Sequence, residues 1–209
     1  MIKILIADDH ATIRKGVKLI LSNEFPEAKF GEAINTVEVF KKIKEDTWDL
    51  LIMDMDMPGR NGLDALKQLK DEKQEIKTLI FSMHPEEQIA IRALKAGAYG
   101  YLAKDADDGE LAKAVHIILA GKKFVTAQVA EQIAGQLENP TNKAPHELLS
   151  DREYQTLLLI AAGKTISQIA NELSLSVPTV STYRARILEK MNLKTSAELT
   201  YYTISNHLI

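Results

Sequence analysis

The sequence predicts a doubly wound parallel α/β sheet over residues 1–121, followed after a break by a small all-α helix-turn-helix domain over 148–209. Three observations predict it. Five short apolar runs alternate with five amphipathic stretches, the pattern of parallel strands joined by right-handed helical crossovers. Glu138-Asn139-Pro140-Thr141-Asn142-Lys143-Ala144-Pro145 has two prolines, two asparagines and no apolar period, which reads as a linker. Beyond it, capping signals and helical spacing recur at short intervals.

Lys3 to Ala7 is the first apolar strand and ends in Asp8-Asp9; Ile13, Val17, Ile20 and Leu21 space out the helix after it. Ala28 to Ala33 is a weaker strand, and Val37, Phe40 and Ile43 mark the helix after it. Leu50 to Met53 is an unbroken apolar run, as for a strand buried on both faces, and it stops at Asp54 before a Pro/Gly/Asn-rich turn. Leu63, Leu66 and Leu69 mark the next helix. Thr78 to Phe81 is a fourth strand ending in Ser82, and its helix, with Ile89, Ile91 and Leu94, closes at Gly97. Tyr99 to Ala103 is a fifth strand ending in Lys104, and Leu111, Val115 and Ile118 mark the fifth helix.

Composition narrows the class. The chain is 45% apolar and 26% charged, as in ordinary globular proteins, and it lacks cysteine, which excludes disulfides, thiolate metal sites and cysteine nucleophiles. No apolar run is long enough to span a membrane, and the start turns acidic too soon for a signal peptide, so a cytoplasmic protein without a membrane partner is expected. Net charge is −3; residues 1–121 hold 17 Lys+Arg against 21 Asp+Glu, whereas 176–195 carry Arg184, Arg186, Lys190 and Lys194 against Glu189 alone. That patch suggests a polyanionic partner.

If the strands are parallel, Asp8, Asp9, Asp54, Ser82 and Lys104 gather at one edge of the sheet, around the switch point of a flavodoxin-like strand order. Singly, each has an ordinary explanation, such as a strand end, a helix cap or a solvated lysine. Together they point to chemistry. Clustered carboxylates repel unless a cation neutralises them, and oxygen ligands with no His or Cys nearby suit Mg²⁺, an ion that takes phosphate oxygens. Asp54 is then a candidate nucleophile, with Lys104 supplying a point charge and Ser82 a hydroxyl to a phosphoryl oxygen.

Asp8-Asp9, Asp54 with Met57-Pro58 and Gly62, Ser82, and Tyr101 three residues before Lys104 resemble the receiver domain of a two-component response regulator. The resemblance implies that Asp54 accepts a phosphoryl group from a histidine kinase or a small phosphodonor. It implies Mg²⁺ on Asp9, Asp54 and the backbone carbonyl of Asp56, with Asp8 assisting through water, and a switch formed by Ser82 and Tyr101. It implies no enzyme beyond self-phosphorylation and slow loss of the group to water. Asp56 and His84 add a carboxylate and an imidazole at the mouth of the site.

Residues 122–147 are read as a linker helix, Ala127 to Leu137, and the flexible linker. Ser150 and Glu153 form a capping box at the head of a helix with Leu157, Leu158 and Ile160. Ile166 to Leu173 is a second helix, Ser174-Leu175-Ser176 a tight turn, and Ser176 caps a third helix with Pro178 in its first turn. On that helix Val180, Tyr183, Ile187, Leu188 and Met191 face inward, and Pro178, Ser181, Thr182, Ala185 and Glu189 face out beside Arg186. Such a helix enters the DNA major groove. Ser181, Thr182, Tyr183, Arg184, Ala185, Arg186 and Lys190 are the candidate DNA-binding residues: the first two and Ala185 for base edges, Arg186 and Lys190 for phosphates, Arg184 snorkelling from the core side. Leu149 to Glu153, Gly163-Lys164, Ile169-Ala170, Thr179-Val180 and Ile187 to Leu193 resemble the LuxR-type DNA-binding domain, and the whole chain is similar to response regulators of the NarL/FixJ class. That class implies a homodimer on a two-fold operator, formed on phosphorylation and paired through a last helix at Ser196 to about Asn206. Two readings stay open beside it, a receiver joined to a protein-interaction module and a DNA-binding dimer indifferent to phosphorylation.

Overall fold

The computed structural model describes residues 1–57, 62–72, 74–84, 86–138, 144–173, 175–206 and 208–209. The turn expected at Pro58 to Asn61, linker residues 139–143 and Ser174 lie outside the described residues. Two compact units are present, Met1–Ile133 and Ala134–Ile209.

The first unit is built on β1 (Lys3–Ala7), β2 (Lys29–Ala33), β3 (Leu50–Met53), β4 (Lys77–Ser82) and β5 (Gly100–Ala103). They form one sheet in the order β2-β1-β3-β4-β5, every pair parallel, as the sequence predicts. Strand ends differ from expectation by a residue where the ladder, rather than the apolar run, sets the boundary. Between the strands run α1 (Ala11–Glu24), α2 (Thr36–Glu45), α3 (Gly62–Asp71), α4 (Glu86–Ala96) and α5 (Asp108–Leu119). Gly97, at φ 118°, ends α4 in the left-handed conformation that a side chain would resist.

Period-two alternation divides the buried strand residues between two faces. Ile4, Ile6, Leu50, Ile52, Leu79, Phe81 and Leu102 join Val17 and Leu21 of α1 and Leu111, Val115 and Ile118 of α5 in one core. Leu5, Leu51, Met53, Ile80 and Tyr101 alternate with them and are also buried. The register then fixes the functional edge. Ala7 lies opposite both Ala33 and Met53, so Asp8 and Asp54 emerge as neighbours past β1 and β3. Ser82 lies opposite Ala103, which brings Lys104 to the same edge.

The two units divide inside α6 (Ala127–Glu138), within the stretch 122–147 that the sequence assigns to a linker helix and linker. The cause is packing: Val129 is buried, and Thr126 Oγ1 donates to Glu86 Oε2 at the head of α4 at 2.9 Å, so the first turns of α6 belong with the first unit. The second unit holds a short 3-10 turn at Pro145–Leu148, then α7 (Asp151–Ala161), α8 (Ile166–Glu172), α9 (Val177–Lys190) and α10 (Ser196–Ser205). The capping box of Ser150 and Glu153 forms as expected, Thr165 and Gln168 make a second one, and Ser176 accepts from the Thr179 N–H. Leu157, Ile169, Val180, Ile187 and Leu199 are its most buried apolar side chains. No helix among the described residues is long and apolar enough to cross a membrane.

Trp48 packs so closely on Gly31 of β2 that a Cβ there would lie 2.2 Å from its Cη2, while its Nε1 donates to the Lys42 carbonyl at 3.0 Å. Gly31→Ala should therefore displace this single tryptophan and cost roughly 1–3 kcal/mol by overpacking. Urea unfolding followed by Trp48 fluorescence checks this: a red-shifted native emission and an earlier midpoint are expected, and an unchanged spectrum and midpoint would contradict the packing described.

Candidate functional site

The strand-end groups meet as the register requires. Asp8, Asp54 and Ser82 are buried, at 2%, 4% and 0% exposure, which is costly for carboxylates unless each is partnered. Lys104 supplies the partner: its Nζ is 2.6 Å from Asp8 Oδ2 and 3.0 Å from Asp54 Oδ2. Backbone bonds hold the frame, Asp54 N–H to the Ala7 carbonyl at 2.8 Å and Lys104 N–H to the Ser82 carbonyl at 2.8 Å. Asp8 Oδ1 also accepts from the His10 N–H at 2.7 Å, turning the chain into α1.

Burial pushes the Asp54 carboxyl above its ordinary range and Asp8 and Asp56 push the same way, while Lys104 opposes them. Burial works against the Lys104 charge, yet the hydrogen bond to Asp8 and the Asp54 charge hold it above the usual lysine value. The Tyr101 hydroxyl is raised by burial and stays a donor, bonding to the His84 carbonyl at 2.6 Å. Ser82 Oγ accepts from the His84 N–H at 3.3 Å, so Ser82 of β4 and Tyr101 of β5 clasp one residue. At the mouth, His84 Nε2 is 2.8 Å from Asp56 Oδ2, and that hydrogen bond raises the imidazole above its usual value.

In the second unit Ser181, Thr182, Ala185, Arg186 and Glu189 are exposed on α9, and Tyr183 and Arg184 are half-buried. Thr182 Oγ1 donates to the Pro178 carbonyl at 3.0 Å. Arg184 Nε donates to Ser196 Oγ at 2.8 Å, tying α9 to the start of α10. Glu153, 2% exposed, lies beneath α9, and Lys190 Nζ reaches it at 2.6 Å.

A family model described as the response regulator receiver domain matches residues 4–116, and one described as bacterial regulatory proteins, luxR family, matches residues 147–203. This chain is a response regulator of the NarL/FixJ class. Response regulator UvrY of Escherichia coli (strain K12) is 32% identical over 209 residues, spanning 100% of this chain and 96% of its own. Response regulator GacA of Pseudomonas syringae pv. syringae (strain B728a) is 34% identical over 210 residues, spanning 100% and 98%. Among solved structures, RcsB from Salmonella enterica serovar Typhimurium, bound to promoter rprA in the presence of phosphomimetic BeF3-, superposes with a TM-score of 0.70 at 22% identity, covering 98% of this chain and 100% of that one, and so shares its fold. The regulator thus joins a receiver to a LuxR-type DNA-binding domain.

In this response regulator Asp8, Asp9, Asp54, Ser82 and Lys104 reach one edge as the parallel order predicts, while the Tyr101 hydroxyl is bonded to the His84 carbonyl, but two expectations need correcting. The acids are not without a histidine: His10 Nδ1 lies 2.8 Å from Asp9 Oδ1, and one ligand atom from each of Asp8, Asp9, His10 and Asp54 falls within 4.8 Å of the others. Its place directly after Asp9 was the available signal. Lys190, expected to reach phosphates, is engaged with Glu153, because a buried carboxylate one layer down outcompetes solvent for the ammonium. Glu153 itself was legible only as a cap.

Burial alone would raise the Glu153 carboxyl, but Lys190 and the Ser150 N–H hold it below its usual value. A group whose folded value is depressed stabilises the fold above its unfolded value, about 4.3, and loses that contribution as pH falls below it. Lys190→Ala should therefore cost roughly 1–3 kcal/mol by leaving a buried carboxylate without its cation, held only by the cap at Ser150. Melting across pH 3 to 7 should show the variant and parent converging at the acid end, with Arg186→Ala neutral for stability. Equal melting at every pH would mean that Lys190 is not held by Glu153.

Proposed function

We propose that Asp54 accepts a phosphoryl group from a sensor histidine kinase or a small phosphodonor, and that the phosphorylated regulator dimerises on a two-fold DNA operator to control transcription. The observation that carries this is the Lys104 ammonium seated between Asp8 and Asp54 at the edge of the sheet where Ser82 also ends. It presents an anionic nucleophile with a cation beside it, in the water-poor setting where such pairs act most strongly. A cytoplasmic setting follows from the proposed partners, DNA and a kinase.

The donor set fits Mg²⁺. Three carboxylates, from Asp8, Asp9 and Asp54, converge with the exposed His10 ring beside them and the Lys104 ammonium against two of them, and such oxygen-rich sets suit a small hard cation. Asp9, Asp54 and the Asp56 backbone carbonyl would hold it, with Asp8 acting through water. When bound it neutralises charge on the incoming phosphoryl oxygens.

The chain's own groups do the rest. A carboxylate oxygen of Asp54 attacks phosphorus, a new O–P bond forms, and the bond from phosphorus to the donor's leaving atom breaks, its electron pair departing with the donor. Lys104 exchanges its contact with Asp54 for a phosphoryl oxygen. The Ser82 hydroxyl turns to donate to another, which releases the His84 N–H that it now accepts from. Tyr101 still holds the His84 carbonyl, so the segment after β4 must follow, and this is the switch. The chain catalyses nothing beyond this transfer and slow hydrolysis of the acyl phosphate.

For DNA, Ser181, Thr182 and Ala185 offer small hydroxyl and methyl groups to base edges, flanked by Arg186 for phosphate. With few free cations on α9, binding at cellular salt calls for two copies. Incubation with Mg²⁺ and acetyl phosphate should add one phosphoryl mass to the intact chain and none to Asp54→Asn, and sedimentation with beryllofluoride should show a heavier, operator-binding species. Phosphoryl mass retained by Asp54→Asn would refute the acceptor, and identical sedimentation with and without the analogue would refute the dimer.

A further inference from the structure

Arg14 has no part in the chemistry just described, yet it reaches the acidic edge from α1. Its side chain is 13% exposed, and its guanidinium folds back toward the start of the helix. Nη1 donates to the backbone carbonyls of Asp8 at 2.9 Å and Asp9 at 3.4 Å, and Nε donates to Glu32 Oε2 at 3.0 Å. A cation near a helix N-terminus opposes the helix dipole, so a local gain must offset that cost. Glu32 belongs to β2, the edge strand beside β1, and Lys18 Nζ approaches its other oxygen at 3.7 Å. The arginine therefore ties the turn after β1 to both α1 and β2.

We infer that Arg14 is a positioning residue for the divalent cation, fixing the peptide planes of Asp8 and Asp9 and with them the direction in which the Asp9 carboxylate is presented; this rests on the Mg²⁺ reading above. Asp8 is oriented independently, by Lys104 and the His10 N–H. Asp9, 31% exposed at its side chain, has the exposed His10 ring as its neighbour and depends on its backbone for aim. Mg²⁺ demands near-octahedral geometry, so a small rotation of that backbone weakens binding. Lysine does not replace this function, because it lacks the planar fork that reaches two carbonyls and Glu32 at once.

Calorimetric titration of Mg²⁺ into the full chain and into Arg14→Ala, Arg14→Lys, Asp9→Asn and Asp54→Asn, each melted in parallel, tests this. Arg14→Ala should weaken Mg²⁺ by about tenfold, as loss of an outer support does. Arg14→Lys should weaken it too while melting close to the parent chain, and it carries the test if Arg14→Ala does not fold. Both Arg14 variants should still take one phosphoryl group at saturating Mg²⁺, because the acceptor is intact. If the parent binds Mg²⁺ through Asp9 and Asp54 and the folded Arg14 variants bind it as tightly, the inference is overturned and the metal reading stands. If the parent binds no Mg²⁺, or the Asp variants bind it equally, the metal reading fails and takes the inference with it.

Discussion

The Lys104 ammonium, 2.6 Å from Asp8 and 3.0 Å from Asp54, is the contact on which the carboxyl edge of the sheet depends. Two buried carboxylates emerging side by side from β1 and β3 repel each other, and both want water that the fold denies them. Lysine can answer both because β5 delivers it from the far side of Ser82. Its own burial is costly, and the same two acids offset that cost, so none of the three groups is stable there without the others. Removing any one of them should expose an unmatched charge. The proposed function uses this dependence: an incoming group that brings negative oxygens would take over the lysine, and a divalent cation would take over the acids.

The second unit repeats the device for a different purpose. Glu153 is buried beneath α9, capped onto Ser150 and met by Lys190, which anchors the end of α9 to α7. Arg184 anchors its middle to Ser196. Two of the three basic side chains on the helix thus serve its position, and the surface that faces outward is made of small, hydroxylated and methyl-bearing groups with Arg186 beside them. The helix therefore offers fewer unengaged cations for counterion release than the sequence's basic patch implies.

The sheet was legible in the sequence because buried parallel strands write themselves as unbroken apolar runs, and their polar ends stand out against those runs. Asp54 after Leu50 to Met53 and Lys104 after Tyr101 to Ala103 are cases of this, and parallel order alone then gathers them. The caps at Ser150 and Ser176 were legible for the same local reason. What escaped depends on tertiary approach. Arg14 looks like any polar residue of an amphipathic helix until β2 places Glu32 against it. Lys190 looks like a surface cation until α7 brings Glu153 beneath it, and His10 reads as a helix-start residue until the chain turn aims its ring at Asp9. Nor does the sequence of α6 say which neighbour its first turns pack on.

Lys104 holds Asp54 as a buried anion at 3.0 Å, the form in which the proposed phosphoryl transfer needs it. Carbon-13 NMR of aspartate-labelled protein without Mg²⁺, with the Asp54 carboxyl assigned by its absence in Asp54→Asn, measures this directly. The Asp54 signal should titrate above the ordinary aspartate value of about 3.9, because burial raises it, and should move higher still in Lys104→Met, because the opposing cation is gone. An Asp54 midpoint at or below the ordinary value, unmoved by loss of Lys104, would contradict the account.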